Sequence, residues 1–261
     1  MSDPRVAPDW IAGHLGDPAV RIVELDVSPA AYNDGHIPGA VLWNAYGHMR
    51  RPDYTLVGDD VLADLLERSG ITNDTTVVFY GYGAHLGYWL LRSRGHSDVR
   101  FMDGPRDQWS GDWSDAVPAH ARASYTLPAA NELEASRDNL LEGDALVVDV
   151  RSQPEYDGER FWPSGAPEEK GRPGRVPGAV HVPITALRTD DGAYRDLEEM
   201  RRVFAEAGVT PDRRAITYCT IGNRAAQAWF ALTELLGHSD VAVYYGSWAE
   251  WGMGAGGFEP P

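Results

Sequence analysis

The chain repeats itself, and nothing else in it limits the fold as much: two copies of one pattern require two copies of one domain. Near the start of each half a β-branched run ends in an acidic residue, IVELDV (Ile22 to Val27) and ALVVDV (Ala145 to Val150), each reading as a short buried strand. Each is followed by a Pro-Gly turn, HIPGAV (His36 to Val41) and RVPGAV (Arg175 to Val180), which reverses the chain before another extended segment. Next come VVFY (Val77 to Tyr80) and AITY (Ala215 to Tyr218), each leading through a Gly-containing loop into a helical pattern. Gly95-His96-Ser97-Asp98-Val99 then matches Gly237-His238-Ser239-Asp240-Val241, and Gly104 precedes Trp109 at the spacing by which Gly246 precedes Trp251.

Strands alternating with helical segments such as Asp59 to Ser69 and Arg224 to Leu236 predict βα units and a mostly parallel sheet covered on both faces. Each half is then an α/β domain, its sheet flanked by helices. The boundary is expected between Trp113 and Leu141, where Ala, Ser, Asp and Pro are frequent and apolar periodicity is weak. Placed near Ser124, it gives domains 1–124 and 125–261.

Composition narrows the partners. No run approaches the length of apolar chain that a membrane span needs, so no membrane partner is expected. A formal charge of −16, with no basic run to offset it locally, repels phosphate backbones and argues against nucleic acid. The N-terminus lacks the basic and then apolar order of a signal peptide, and the single cysteine cannot form an intramolecular disulfide, so a cytoplasmic location is expected. Eight histidines are scattered without metal-ligand spacing, so no metal site is expected, and the nine tryptophans are expected to fill the core and the domain interface. An acidic chain acting on small anions needs a locally positive site, built from backbone N–H groups or a few arginines.

The halves differ where chemistry would sit. The span from Tyr218 to Gly237 is longer than that from Tyr80 to Gly95. After its strand the second half reads Cys219-Thr220-Ile221-Gly222-Asn223-Arg224, whereas the first reads Gly81-Tyr82-Gly83-Ala84. The cysteine ends a parallel strand just before a helix, where open α/β sheets place their ligands. Loop N–H groups and a helix N-terminus there stabilise negative charge on sulfur, or hold a bound anion. A lone cysteine is more commonly a small buried hydrophobe. Its position at the head of a Gly-containing loop, and the absence of both residue and loop length from the paired half, point instead to the second domain as catalytic and the first as a structural partner.

These residues resemble the rhodanese family, whose members carry sulfur on a cysteine in a loop between a central strand and a helix. Tyr32-Asn33-Asp34-Gly35-His36-Ile37-Pro38-Gly39-Ala40 is similar to the family's first-domain signature. Tyr244-Tyr245-Gly246-Ser247-Trp248-Ala249-Glu250-Trp251 is similar to its C-terminal signature, with Tyr245 where an acidic or small residue is usual. With the cysteine loop and the repeat, the likeness covers nearly the whole chain and implies a tandem-domain sulfurtransferase. Cell-cycle phosphatases share the fold but enclose more residues between cysteine and arginine than the four between Cys219 and Arg224. The shorter ring suits a sulfur atom on the cysteine better than a phosphate, which leaves phosphatase activity the weaker alternative.

The resemblance implies a ping-pong reaction without cofactor, in which Cys219 takes sulfur from a small anionic donor as a persulfide and yields it to a thiol, cyanide or another nucleophile. Thiosulfate is the expected donor and 3-mercaptopyruvate the alternative, because the serine of the mercaptopyruvate-type loop is replaced by Ile221 and its relay to His36 is unavailable. A non-catalytic persulfide-binding module is the reading from another class. Thr220, Ile221, Gly222, Asn223 and Arg224 are the expected anion-binding loop, with Gly222 supplying backbone freedom. Arg224 either contributes charge to that loop or braces the helix against a carboxylate. Asp149 and Arg151 either orient the loop or contact the donor, or form an ion pair serving stability alone. His36 reads more readily as a turn-stabilising residue. Arginines that vertebrate relatives carry after this strand are missing, Glu155 falling at about one of those places, and Arg160, Arg172 or Arg175 are candidates to substitute.

Overall fold

The computed structural model describes residues 3–254. The chain divides into two compact units, one of residues up to Arg51 with Leu56–Asn131, the other of Pro52–Thr55 with the residues from Glu132 onward. In the first, strands β1 (Arg5–Val6), β2 (Val20–Asp26), β3 (Val41–Asn44), β4 (Thr76–Tyr80) and β5 (Val99–Met102) form a sheet in the order β1-β5-β4-β2-β3. In the second, β6 (Glu134–Ala135), β7 (Leu146–Asp149), β8 (Val180–His181), β9 (Ala215–Tyr218) and β10 (Val241–Tyr244) take the same places, β6-β10-β9-β7-β8. Every pairing between these strands is parallel. The two α/β domains expected from the repeat are present, with one topology.

β7, β9 and β10 are buried along their whole length, as expected where helices cover both faces of a parallel sheet and the strands read as continuous apolar runs. The helix Asp59–Arg68 lies where the sequence predicts it and buries Leu62, Leu65 and Leu66. The helix Asn223–Phe230 continues into a π-helical turn, Ala231–Leu235, ended by Gly237 in the left-handed region at φ 78°.

The register corrects one sequence alignment. Strand endings match Asp26 with Asp149, but Glu24 lies beside Tyr80 just as Asp149 lies beside Tyr218. Glu24 is therefore the counterpart of Asp149. Both carboxylates are fully buried, and in both halves a tyrosine hydroxyl bonds them alike. The Tyr218 hydroxyl donates to Asp149 at 2.5 Å and accepts the Val176 N–H at 3.2 Å. The Tyr80 hydroxyl donates to Glu24 and accepts the Ile37 N–H at 3.0 Å. Since Ile37 and Val176 open the two Pro-Gly turns, each tyrosine ties a turn to the centre of its sheet.

Contacts carry the first unit past Ser124. Tyr125 is buried and shares a hydrogen bond with His96 at 2.9 Å. The Thr126 N–H donates to Asn73 at 2.9 Å, and the Asn131 N–H donates to the Ser93 carbonyl at 2.9 Å. These bonds hold the residues after Ser124 to the helix Ala84–Ser93 and to the connecting segments at Asn73 and His96, so the units part at Asn131 and Glu132, inside the window of weak periodicity.

Candidate active site

Cys219 follows β9, the middle strand of the second sheet, and is 1% exposed. Gly222 takes φ 86°, a conformation that costs a residue with a Cβ but not glycine, and heads the helix Asn223–Phe230. That turn brings the Gly222 N–H to 3.1 Å from the Cys219 sulfur.

The rest of the loop is oriented from the C-terminal side. The N–H groups of Trp248 and Ala249, at the start of the helix Ser247–Trp251, donate to the carbonyls of Cys219 and Thr220 at 2.9 Å each. The described peptides contain no cis bond. In a trans peptide the C=O and N–H point in opposite directions, so fixing those two carbonyls turns the N–H groups of Thr220 and Ile221 away from that helix. With the Gly222 N–H and the N-terminus of helix Asn223–Phe230, these amides are the positive partial charges an acidic chain needs for an anion or a sulfur nucleophile.

Arg224 is turned to a carboxylate. Its two terminal nitrogens donate to the two oxygens of Glu155, each at 2.8 Å, and one also donates to the Thr220 hydroxyl at 2.6 Å. That hydroxyl donates in turn to Glu155 at 2.5 Å, and the Ser152 N–H and hydroxyl reach the same carboxylate at 3.1 and 2.7 Å. Burial pushes the Glu155 carboxyl up, but the Arg224 guanidinium, with help from Thr220 and Ser152, outweighs it and holds the carboxyl at about 2. The bracing arrangement is thus the one present: Glu155 pins both ends of the loop to the short helix Gln153–Tyr156. In the sequence Glu155 reads only as standing at about the place of a missing arginine. Its signal was legible in Ser152-Gln153-Pro154-Glu155, a capping box.

Asp149 and Arg151 form a fully buried ion pair at 2.6 Å. The Arg151 guanidinium also donates to the Gly174 carbonyl at 2.8 Å and lies 4.6 Å from the Trp248 ring. Burial opposes its charge, but Asp149 and Tyr218 more than compensate and raise its pKa above the ordinary value. The pair lies at the end of β7 and is tied to Tyr218, the last residue of β9, through the tyrosine's hydrogen bond to Asp149. His36 lies in the first unit, stacked on Tyr32 at 3.9 Å, with its ring nitrogens facing the carbonyls of Tyr32 and Ala116 at 3.0 and 3.1 Å. Arg160 donates to the Pro163 carbonyl at 3.0 Å, and Arg175 lies 4.7 Å from the Tyr156 ring. Arg172 donates to the Gly254 carbonyl at 3.1 Å. Of the loop's remaining residues, Asn223 is buried and Ile221 half-buried.

In the first unit Gly81 stands at the place of Cys219, at φ 90°, and the Gly83 N–H is spent on the Leu25 carbonyl at 2.8 Å. That loop has no sulfur, and its Gly83 amide is turned to the strand β2.

A family model described as a rhodanese-like domain matches the chain twice, over residues 7–112 and 132–253. The chain is 37% identical to the sulfur carrier protein TtuD of Thermus thermophilus, over 95% of this chain and 93% of that one. It is 38% identical to a Mycolicibacterium smegmatis protein named provisionally as a thiosulfate sulfurtransferase, over 96% and 95%. Among solved structures it is similar to EanB in complex with ergothioneine covalently linked to a persulfide cysteine, with TM-score 0.85 and 27% identity, over 98% of this chain and 70% of that one.

Proposed function

The chain belongs to the rhodanese family as a tandem-domain sulfurtransferase, and from that premise we propose that Cys219 carries sulfur as a persulfide, with thiosulfate as donor. One observation carries the reading: the chain's sole cysteine receives the Gly222 N–H on its sulfur at the head of a loop whose carbonyls are drawn away.

In the first half-reaction the Cys219 thiolate attacks the outer sulfur of thiosulfate. A sulfur–sulfur bond to the cysteine forms, the donor's own sulfur–sulfur bond breaks, and sulfite leaves with the electron pair. In the second, cyanide or a thiolate attacks the outer sulfur of the persulfide and the Cys219 thiolate departs. Charge is conserved in each step. The Gly222 N–H faces the negative sulfur in both, so one hydrogen-bond donor serves two transition states. Thiosulfate is favoured over 3-mercaptopyruvate because it needs only a positively polarised loop, and Ile221 offers no hydroxyl for a proton relay. Phosphate ester hydrolysis is disfavoured because Arg224 is committed to Glu155.

Intact mass after thiosulfate treatment should rise by one sulfur and revert with cyanide, and Cys219→Ser should abolish the change. A wild-type mass that stays unchanged with both thiosulfate and 3-mercaptopyruvate sinks the reading. Turnover with each donor ranks them, and persulfide formation without turnover would leave a sulfur carrier, as the Thermus relative is named.

A further inference from the structure

Ser247 is the described serine with a left-handed backbone, φ 54°, and it is fully buried. Glycine adopts that conformation without a steric penalty, whereas a residue with a Cβ is destabilised by it. A serine kept there in the dry interior must gain something through its side chain, and its contacts show what. The hydroxyl donates to the Tyr244 carbonyl at 2.9 Å and accepts the Cys219 N–H at 3.2 Å. The next residue, Trp248, donates its N–H to the Cys219 carbonyl at 2.9 Å. Both backbone polar groups of Cys219 are therefore held by two adjacent residues, and the Gly222 N–H holds its sulfur.

We propose that Ser247 is a positioning residue for the sulfur nucleophile: its hydroxyl fixes the Cys219 backbone so that the sulfur stays against the Gly222 N–H. The proposal rests on the reading of Cys219 as the sulfur carrier. Without the hydroxyl, the Cys219 N–H is a buried donor without its acceptor, and the peptide before Cys219 gains by rotating to find another. Such a rotation swings the sulfur off the Gly222 N–H. The left-handed backbone sets Trp248 and Ala249 against the loop carbonyls, while the hydroxyl acts on Cys219 itself, so the two contributions separate by substitution.

Ser247→Ala removes the hydroxyl and keeps the strained backbone, whereas Ser247→Gly removes the hydroxyl and relieves it. If the hydroxyl positions the sulfur, both variants lose roughly 10-fold in the single-turnover rate of persulfide formation at saturating thiosulfate. The half-saturating donor concentration should stay within about twofold of wild type, and the glycine variant should melt above the alanine variant. If Ser247 serves only the fold, activity follows stability, and a Ser247→Gly protein reacting at the wild-type rate overturns the proposal. The same comparison is made on alkylation of Cys219 by iodoacetamide, which needs no sulfur donor. A wild type that is alkylated but takes up no sulfur defeats the transfer reading, while the order of the three alkylation rates still decides the role of Ser247.

Discussion

Arg224 and Glu155 are held so closely that removing either leaves the other charged and enclosed. Breaking such a pair typically costs about 3–5 kcal/mol. Arg224→Ala and Glu155→Gln should each lose stability on that scale in urea denaturation, and the double variant should lose at least ~1 kcal/mol less than their sum. Additive losses would show the two residues to be independent. Arg224→Lys should recover only part, because a point charge cannot make both bonds to the carboxylate. The pair also has a pH signature. Burial raises the Glu155 pKa, yet Arg224 brings it down from 4.5 to about 2. A folded-state pKa below the unfolded value stabilises at pH above about 4.5 and loses that contribution as pH falls toward 2, roughly 3 kcal/mol in all. The stability gap between wild type and Glu155→Gln should therefore be constant near neutrality and narrow between about pH 5 and pH 2.5. A gap that does not change across that range would remove Glu155 as the titrating group.

At the scale of the loop, the two halves differ in the room they leave for a side chain. A Cβ on Gly81 would meet the Leu25 carbonyl oxygen at 3.2 Å and the Glu24 side chain at 3.3 Å, on a backbone at φ 90° that disfavours any side chain. Gly81→Cys in a Cys219→Ser background should therefore leave sulfur transfer absent and lower stability by about 1–2 kcal/mol. Appreciable turnover by that double variant would show the first loop to be a working cradle. The strands VVFY and AITY, the helices after them and the cysteine's place between strand and helix were legible in the sequence, because hydrophobic period and glycine carry them. What was not legible has a common cause. Trp248 and Ala249 grip the loop through backbone N–H groups, which nearly every residue type possesses, so no side-chain pattern announces the contact. Glu24 and Asp26 share a face of β2, since strands have a period of two. Only the partner, Tyr80, distinguishes them.

For the molecule as a whole, the repeat fixed the domain count but not the seam. Tyr125, Thr126 and Asn131 are bonded to the first unit, so a fragment of residues 1–131 should be more stable than one of residues 1–124 by about 2–4 kcal/mol, the worth of one buried aromatic and a few hydrogen bonds. Equal melting temperatures for the two fragments would return the seam to Ser124. The buried acids described above have a consequence in time. Glu24 takes its counter-charge from Arg106, 82 residues further on, whereas Asp149 takes it from Arg151, 2 residues further on. A ribosome adding about 5–20 residues per second makes Glu24 wait roughly 4–16 s for its arginine, and Asp149 less than about a second. The first half must leave its centre wet until its last strand has been made. The second can neutralise its acid before the remaining strands of its sheet exist.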